Sequence, residues 1–466
     1  MRFWLDISIP YFSLLPNFQS DGQQQAVELT DPSIDRSIVQ NQISCPVSPL
    51  TCENKTTIPD QCCFEYPGGI FLQSQFWNYK PRKRGMNETQ LIEQLGPLDS
   101  FTVHGLWPDD CFGSYEQFCD SKLFIDDVYH LLKGFGAGEG QKLLNKLELL
   151  WKSNNGDHES LWIHEFNKHG SCIRNIRPEC YERWDHDGDG STKVNFRGQS
   201  QSLYAKKGVF DYFNITFNLF EKINTFEFLE KHDIIPSVEN RYSKSQIEKA
   251  LKNEFQNRDV FINCDSNNVL NEVWYYHLLN GTILNKDFIP IDSIRRLQFS
   301  KCKEEGIKFY PKGYLPSGDG DKGPSNPSKL RGIIKVDNLH ENNDDDTRGF
   351  LIRDGKWMMK GTPANFEIIK STFGNYNLKT RHGYCTVDEG KSNELTCHQK
   401  NVKYASQFDF EKDEKTGLNY IGYSGLYDWG AVSKPSGRVR KPIFLYNDKD
   451  EGTDLKMKFK LRFVET

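Results

Sequence analysis

The 466-residue chain has no uninterrupted apolar run approaching the roughly 18–20 residues that cross a bilayer, which predicts a soluble globular protein with no transmembrane span. It also lacks a basic excess: 59 Lys and Arg stand against 64 Asp and Glu, a formal net charge of -5. Broad electrostatic capture of nucleic acid is thereby excluded, so any RNA contact must be local and site-like. No CxxC pair occurs, which removes the usual zinc spacing, and neither a metal nor a cofactor is expected. No internal repeat is visible.

What the chain does have is cysteine. Ten of the twelve fall between Cys45 and Cys302, with Cys62 and Cys63 adjacent, and Cys385 and Cys397 lie close together near the end. An even count in this pattern suits a disulfide framework made in an oxidising compartment. Four Asn-x-Thr sequons, at Asn54, Asn87, Asn214 and Asn280, agree with glycosylation along the secretory route. Residues 1–20 read as an imperfect targeting segment, because Asp6, Pro10 and Pro16 interrupt its apolar residues.

The expected organisation is a lead-in segment over residues 1–40, a mixed α+β domain over 41–310, a linker over 311–332 and a small mostly-β domain over 333–466. The linker reading rests on dense Pro, Gly and Ser, and the β reading on short alternating runs between Gly, Asn and Asp clusters. Leucines at 143, 144, 147 and 150 predict an amphipathic helix. Ser245 with Glu248 reads as the capping box of another, and Tyr212–Leu229 also reads as helical. Asp185–Gly190 imitates half a calcium loop but has Phe196 at the twelfth position, so a plain loop is expected. Gly134–Gly138 is read as a turn.

Two segments carry chemistry. In Phe101-Thr-Val-His-Gly-Leu-Trp-Pro108 alternation predicts a strand, with Gly105 and Pro108 turning the chain just after His104. In Trp162-Ile-His-Glu-Phe-Asn-Lys-His-Gly-Ser-Cys172 a helix would group His164, Glu165, Lys168 and His169 on one broad face. That helix has three readings. One is a salt-bridged surface helix. A zinc protease fails, because Lys168 stands where the second histidine of HExxH belongs and an ammonium cannot ligate a metal. The third is proton transfer at a phosphodiester by two imidazoles and a fixed cation.

Taken together, the two segments closely resemble the active-site boxes of the T2 ribonuclease family, FTxHGLWP and WxHEWxKHGxC, with Phe166 where Trp is usual. The resemblance runs from about Cys45 to Cys302 and implies a central antiparallel sheet with packed helices. It implies an endoribonuclease that cuts single-stranded RNA such as rRNA and tRNA, leaves DNA alone and forms 2′,3′-cyclic phosphates. His169 would be the base and His104 the acid. Lys168 and His164 would hold phosphate oxygens, and Glu165 would orient an imidazole or keep His164 charged. Trp107, Asp109 and Tyr115 match one base site, Asp109 as an acceptor; Gln75, Ser153 and Asn154 match a second. There Lys152 and Leu161 depart from the fungal pattern. The family's connectivity would pair Cys45–Cys62, Cys52–Cys111, Cys63–Cys180, Cys119–Cys172 and Cys264–Cys302, leaving Cys385–Cys397 in the tail domain.

A T2 unit followed by such an extension resembles the yeast vacuolar group of the family. It implies RNA turnover and stress response in a vacuolar lumen or outside the cell, with release to the cytoplasm under stress. The alternative from another class is a stress or cell-death signalling protein whose interactions do not need catalysis. In the extension, Leu455–Phe463 alternates apolar with basic residues. One face would be cationic, fitting RNA or an anionic surface, unless its lysines merely guard a sheet edge.

Overall fold

The computed structural model describes residues 45, 50–53, 60–111, 114–184, 193–196, 199–294, 300–316, 329–338, 349–388, 392–413, 416–446 and 455–466. The targeting segment, Asn54 and the Asp185–Gly190 loop lie outside them. Two hydrophobic cores divide the chain: a large one built from residues 63–310 and a second from residues 334–463.

The first unit is α+β. Its antiparallel sheet contains β1 (Ile70–Phe76), β2 (Thr102–Asp109), β3 (Phe261–Cys264), β4 (Leu270–Leu279) and β5 (Phe288–Ile291), in the order β2-β1-β4-β3 with β5 also on β4. Helices α1 (Glu139–Leu150), α2 (His158–Lys168), α3 (Pro178–Trp184), α4 (Leu203–Phe220), α5 (Thr225–Glu230) and α6 (Lys244–Glu254) surround it. Helix α1 buries Leu143, Leu144 and Leu147, the stripe its spacing predicts, while Leu150 is half-buried. The Tyr212–Leu229 run is two helices with a break at residues 221–224. The cap of α6 is Ser243 with Gln246 rather than Ser245 with Glu248: the Ser243 hydroxyl accepts from the Gln246 amide and the Gln246 side chain accepts from the Ser243 amide. The Gly134–Gly138 turn includes one turn of 3-10 helix, Phe135–Gly138.

The second unit is rich in strands: β6 (Lys329–Asn338), β7 (Phe366–Lys370), β8 (Tyr376–Thr380), β9 (Phe408–Lys412), β10 (Asn419–Tyr423), β11 (Asp428–Ala431) and β12 (Met457–Glu465), among shorter ones. Antiparallel pairing runs β6-β7-β8-β9-β10-β12, and β12 pairs back onto β6, closing a ring of six. Strand β12 is therefore no sheet edge, and edge protection is not the reason for its basic residues. Lys458 pairs with Asp428 and Arg462 with Asp337, so the expected cationic face is partly neutralised. The expected linker 311–332 is structured at both ends: the Gly313 amide donates to Tyr79 O, and β6 already begins at Lys329.

Six disulfides join all twelve cysteines. Cys52–Cys111, Cys119–Cys172, Cys264–Cys302 and Cys385–Cys397 pair as the resemblance implied. The adjacent pair exchanges partners: Cys45 joins Cys63 and Cys62 joins Cys180. Neighbouring side chains diverge, so Cys63 enters the core while Cys62 stays half-buried and meets α3. Among the described residues no helix is long and apolar enough to cross a membrane. Asn87 and Asn280 are exposed, whereas Asn214 is half-buried in α4.

Candidate active site

Strand β2 reaches the site through a bulge. Ser74 pairs with Gly105 and Gln75 with Val103, which leaves His104 as the extra residue and turns its ring off the regular ladder. The ring stacks on Phe76, centroids 3.9 Å apart. Its Nδ1 donates to Glu272 Oε1 at 2.6 Å, and Ser74 Oγ donates to the same carboxylate at 2.9 Å. Nε2 is thereby turned toward Glu165, 3.5 Å away. Burial alone would raise the Glu272 carboxyl, but the hydrogen bond and charge of His104, with help from Ser74, bring it below its usual range.

Helix α2 supplies the other groups. It begins at an Asp157 cap that accepts from the Ser160 amide, and His169 follows its last turn. Buried Tyr212 of α4 ties this helix to β2, its hydroxyl donating to Leu106 O and Glu165 O. Glu165 accepts from Trp107 Nε1 at 2.7 Å. Gly105 makes the approach possible: a Cβ there would collide with Glu165 Oε2 and lie 2.5 Å from Trp107 Nε1. The indole stands between the imidazoles, stacked on His169 and edge-on to His104, 4.9 Å from each centroid.

Burial, with Lys168, His164 and His104 nearby, holds His169 well below the usual histidine range, so it stands neutral at neutral pH. His164 is held down in the same way, by burial and then by Lys168 and His104. Of the two roles expected for Glu165, the carboxylate is not set to keep His164 charged; it bonds Trp107 and faces the His104 ring. Burial raises the Glu165 carboxyl and lowers the Lys168 ammonium, while Glu165, Asp409 and Asp109 pull Lys168 back up.

A cavity of about 520 Å³ opens over these groups, within the size range of small-ligand sites. His104, His164, Glu165, Lys168, His169, Trp107, Asp109, Tyr115, Ser153 and Asn154 all line it. Gln75 does not. Alternation along β1 sends Ser74 and Phe76 toward His104 and Gln75 to the opposite face, where it is spent on Gln73, Ile223 O and Thr225. Burial and Asp110 hold the Asp109 carboxyl well above its usual range, against the pull of Lys168.

With this constellation in place, the comparison with known proteins decides the family. Residues 68–302 match the Ribonuclease T2 family and residues 330–460 match the RNase T2-like C-terminal domain. The chain belongs to the T2 ribonuclease family. A Ribonuclease T2-like protein of Saccharomyces cerevisiae is 52% identical over 440 residues, covering 92% of this chain and 95% of that one. One of Candida glabrata is 50% identical over 429 residues, covering 90% and 93%. The T2 ribonuclease Actibind, a crystal structure, is 31% identical and covers 57% of this chain and 96% of its own, with a TM-score of 0.46. The protein is thus an endoribonuclease of the T2 type, and its six disulfides fit a secreted or lumenal member.

The sequence reading missed two groups of this T2 site. One is Glu272 with Ser74; a lone carboxylate inside the apolar run Leu270–Leu279 was the available signal, since burying it unpaired is costly. The other is the far wall, which the second unit supplies through Lys370, Phe373, Asn375, Asp409 and Tyr427. Asp409 accepts from the Tyr115 hydroxyl at 2.9 Å, Asn375 donates to the same hydroxyl, and Gln117 donates to Gln407 O.

Proposed function

We propose that the cleft cleaves single-stranded RNA by metal-independent transphosphorylation. His169 takes the proton of the ribose 2′-OH, and O2′ attacks the adjacent phosphorus. The P–O5′ bond breaks as His104 protonates the leaving oxygen, yielding a 2′,3′-cyclic phosphate and a free 5′-OH. The observation that carries this reading is the opposite setting of two imidazoles on one cavity. His169 is held neutral beside a lysine, as a base must be, and His104 is fixed through Nδ1 by the Glu272 carboxylate, which leaves its Nε2 on the opposite side of the ring for the substrate. Lys168 offers a fixed cation to the non-bridging oxygens as charge builds, and neutral His164 offers a hydrogen bond. DNA is spared because the nucleophile belongs to the ribose.

Trp107 and Tyr115 serve one base and Ser153 with Asn154 another. We place this activity in RNA turnover within an oxidising lumen such as the vacuole, as the disulfide framework and exposed Asn87 and Asn280 support. The test is cleavage of a labelled RNA by the purified chain in EDTA. Cyclic ends should form, DNA should survive, and His104→Phe or His169→Phe should each cost about 10²–10⁴-fold in kcat. Full activity in either variant would remove that histidine from the mechanism.

A further inference from the structure

The loop between β7 and β8 reaches over the catalytic cleft. Phe373 at its tip packs against the core of the first unit, its ring 5.6 Å from that of His164. Gly374 follows at φ +78°, where a Cβ would lie 2.9 Å from Lys168 Nζ and clash with Gln407. A left-handed backbone and this approach to the lysine leave room only for glycine. The loop is therefore seated on the cleft, and the cavity it bounds still has nucleotide-scale volume, so it forms a wall of the cleft and leaves it open.

Lys370, the last residue of β7, lines that wall. Its ammonium donates to Gly374 O at 2.6 Å and lies over the Tyr376 ring, 4.5 Å from the centroid. Among the described residues it has no carboxylate within ion-pair distance. Burial, then repulsion from Lys168 and Lys301, push it down to about 8. Two lysines from different units thus line one cavity. Glu165, Asp409 and Asp109 answer Lys168, whereas Lys370 feels Glu272 and Asp409 only beyond ion-pair distance, and beside its bond to Gly374 O its ammonium keeps donors for an incoming anion. Lys168 already sits beside the imidazoles that act on the reacting phosphodiester.

We propose that Lys370 binds a phosphate of the RNA other than the one being cleaved, which makes the C-terminal unit part of the substrate cleft. Asp409 and Asn375 act beside it as positioning residues, fixing the Tyr115 hydroxyl from across the interface. The inference rests on the reading of this cavity as the RNA cleft. It names the substrate feature recognised: a chain with more than one phosphate, held from both units.

The test compares Lys370→Ala and Lys370→Arg full-length chains on two substrates, an oligoribonucleotide and a dinucleoside monophosphate with a single phosphate. Lys370→Ala should raise KM for the oligonucleotide about tenfold or more, with kcat within about threefold. It should also reduce the salt dependence of log KM by about one contact. Kinetics on the dinucleoside should be unchanged, and Lys370→Arg should restore the oligonucleotide KM. Equal losses on both substrates would overturn the proposal by placing Lys370 at the scissile phosphate, and unchanged KM on both would make it a bystander. Wild-type chain that gave no cyclic ends would instead strike the catalytic reading, a result separable from either.

Discussion

Glu272→Gln isolates the carboxylate behind His104. In the native site Oε1 accepts from His104 Nδ1 at 2.6 Å and from Ser74 at 2.9 Å, in a pocket where Glu272 is 7% exposed. Gln keeps the shape and offers a neutral acceptor, so the charge is what is lost. A hydrogen bond to a charged group contributes about 1.5–3 kcal/mol net, roughly 10- to 150-fold in rate if it is fully felt when His104 must hold its proton. The loss should fall on kcat, because Gln leaves the ring in place and removes only the charge behind it. KM should change little, since Glu272 sits behind the ring. The assay is steady-state kinetics on a dinucleoside monophosphate, with a thermal melt to confirm folding. A kcat within twofold of wild type would refute the assignment of Glu272 to holding His104.

Two further outcomes are expected. Gly105→Ala should lower kcat by about 10²-fold with the fold intact, because a methyl group there displaces Glu165 and Trp107 and an ångström of misplacement is enough for that loss; wild-type kcat would show that the contact is not needed. His277 is buried and held down to about 4 by desolvation, so the unfolded chain binds the extra proton between about pH 6.5 and 4 and stability falls as pH falls through that window. His277→Leu should flatten that loss by up to about 3 kcal/mol at pH 4 in urea melts, whereas an unchanged slope would mean that His277 is already charged in the folded chain.

The parts of the site that the sequence made legible are local. His104, Gly105 and Trp107 lie on one strand and His164, Glu165, Lys168 and His169 within one turn and a half of chain, so period alone groups them. Glu272 is 168 residues from His104 and meets it only because β4 pairs with β1 beside β2. No spacing rule spans such a distance. Gln75 failed for a different reason: its match to a family position ignored the alternation of its own strand. The Cys62 and Cys63 exchange likewise turns on which of two adjacent side chains faces inward, and position along the chain is blind to that. For β12 the composition was legible, but its place in a closed ring depended on pairing with β6.

The bond from Tyr115 to Asp409 joins residues 294 positions apart. Together with Gln117 and Gln407 it makes the two units answer to one another in inheritance. A change at Tyr115 is judged by whether Asp409 and Asn375 still find a partner, and a change at Asp409 or Asn375 by whether Tyr115 does. A transplanted extension would therefore have to bring matching residues at 115 and 117, and drift in either half should be slowed by the other.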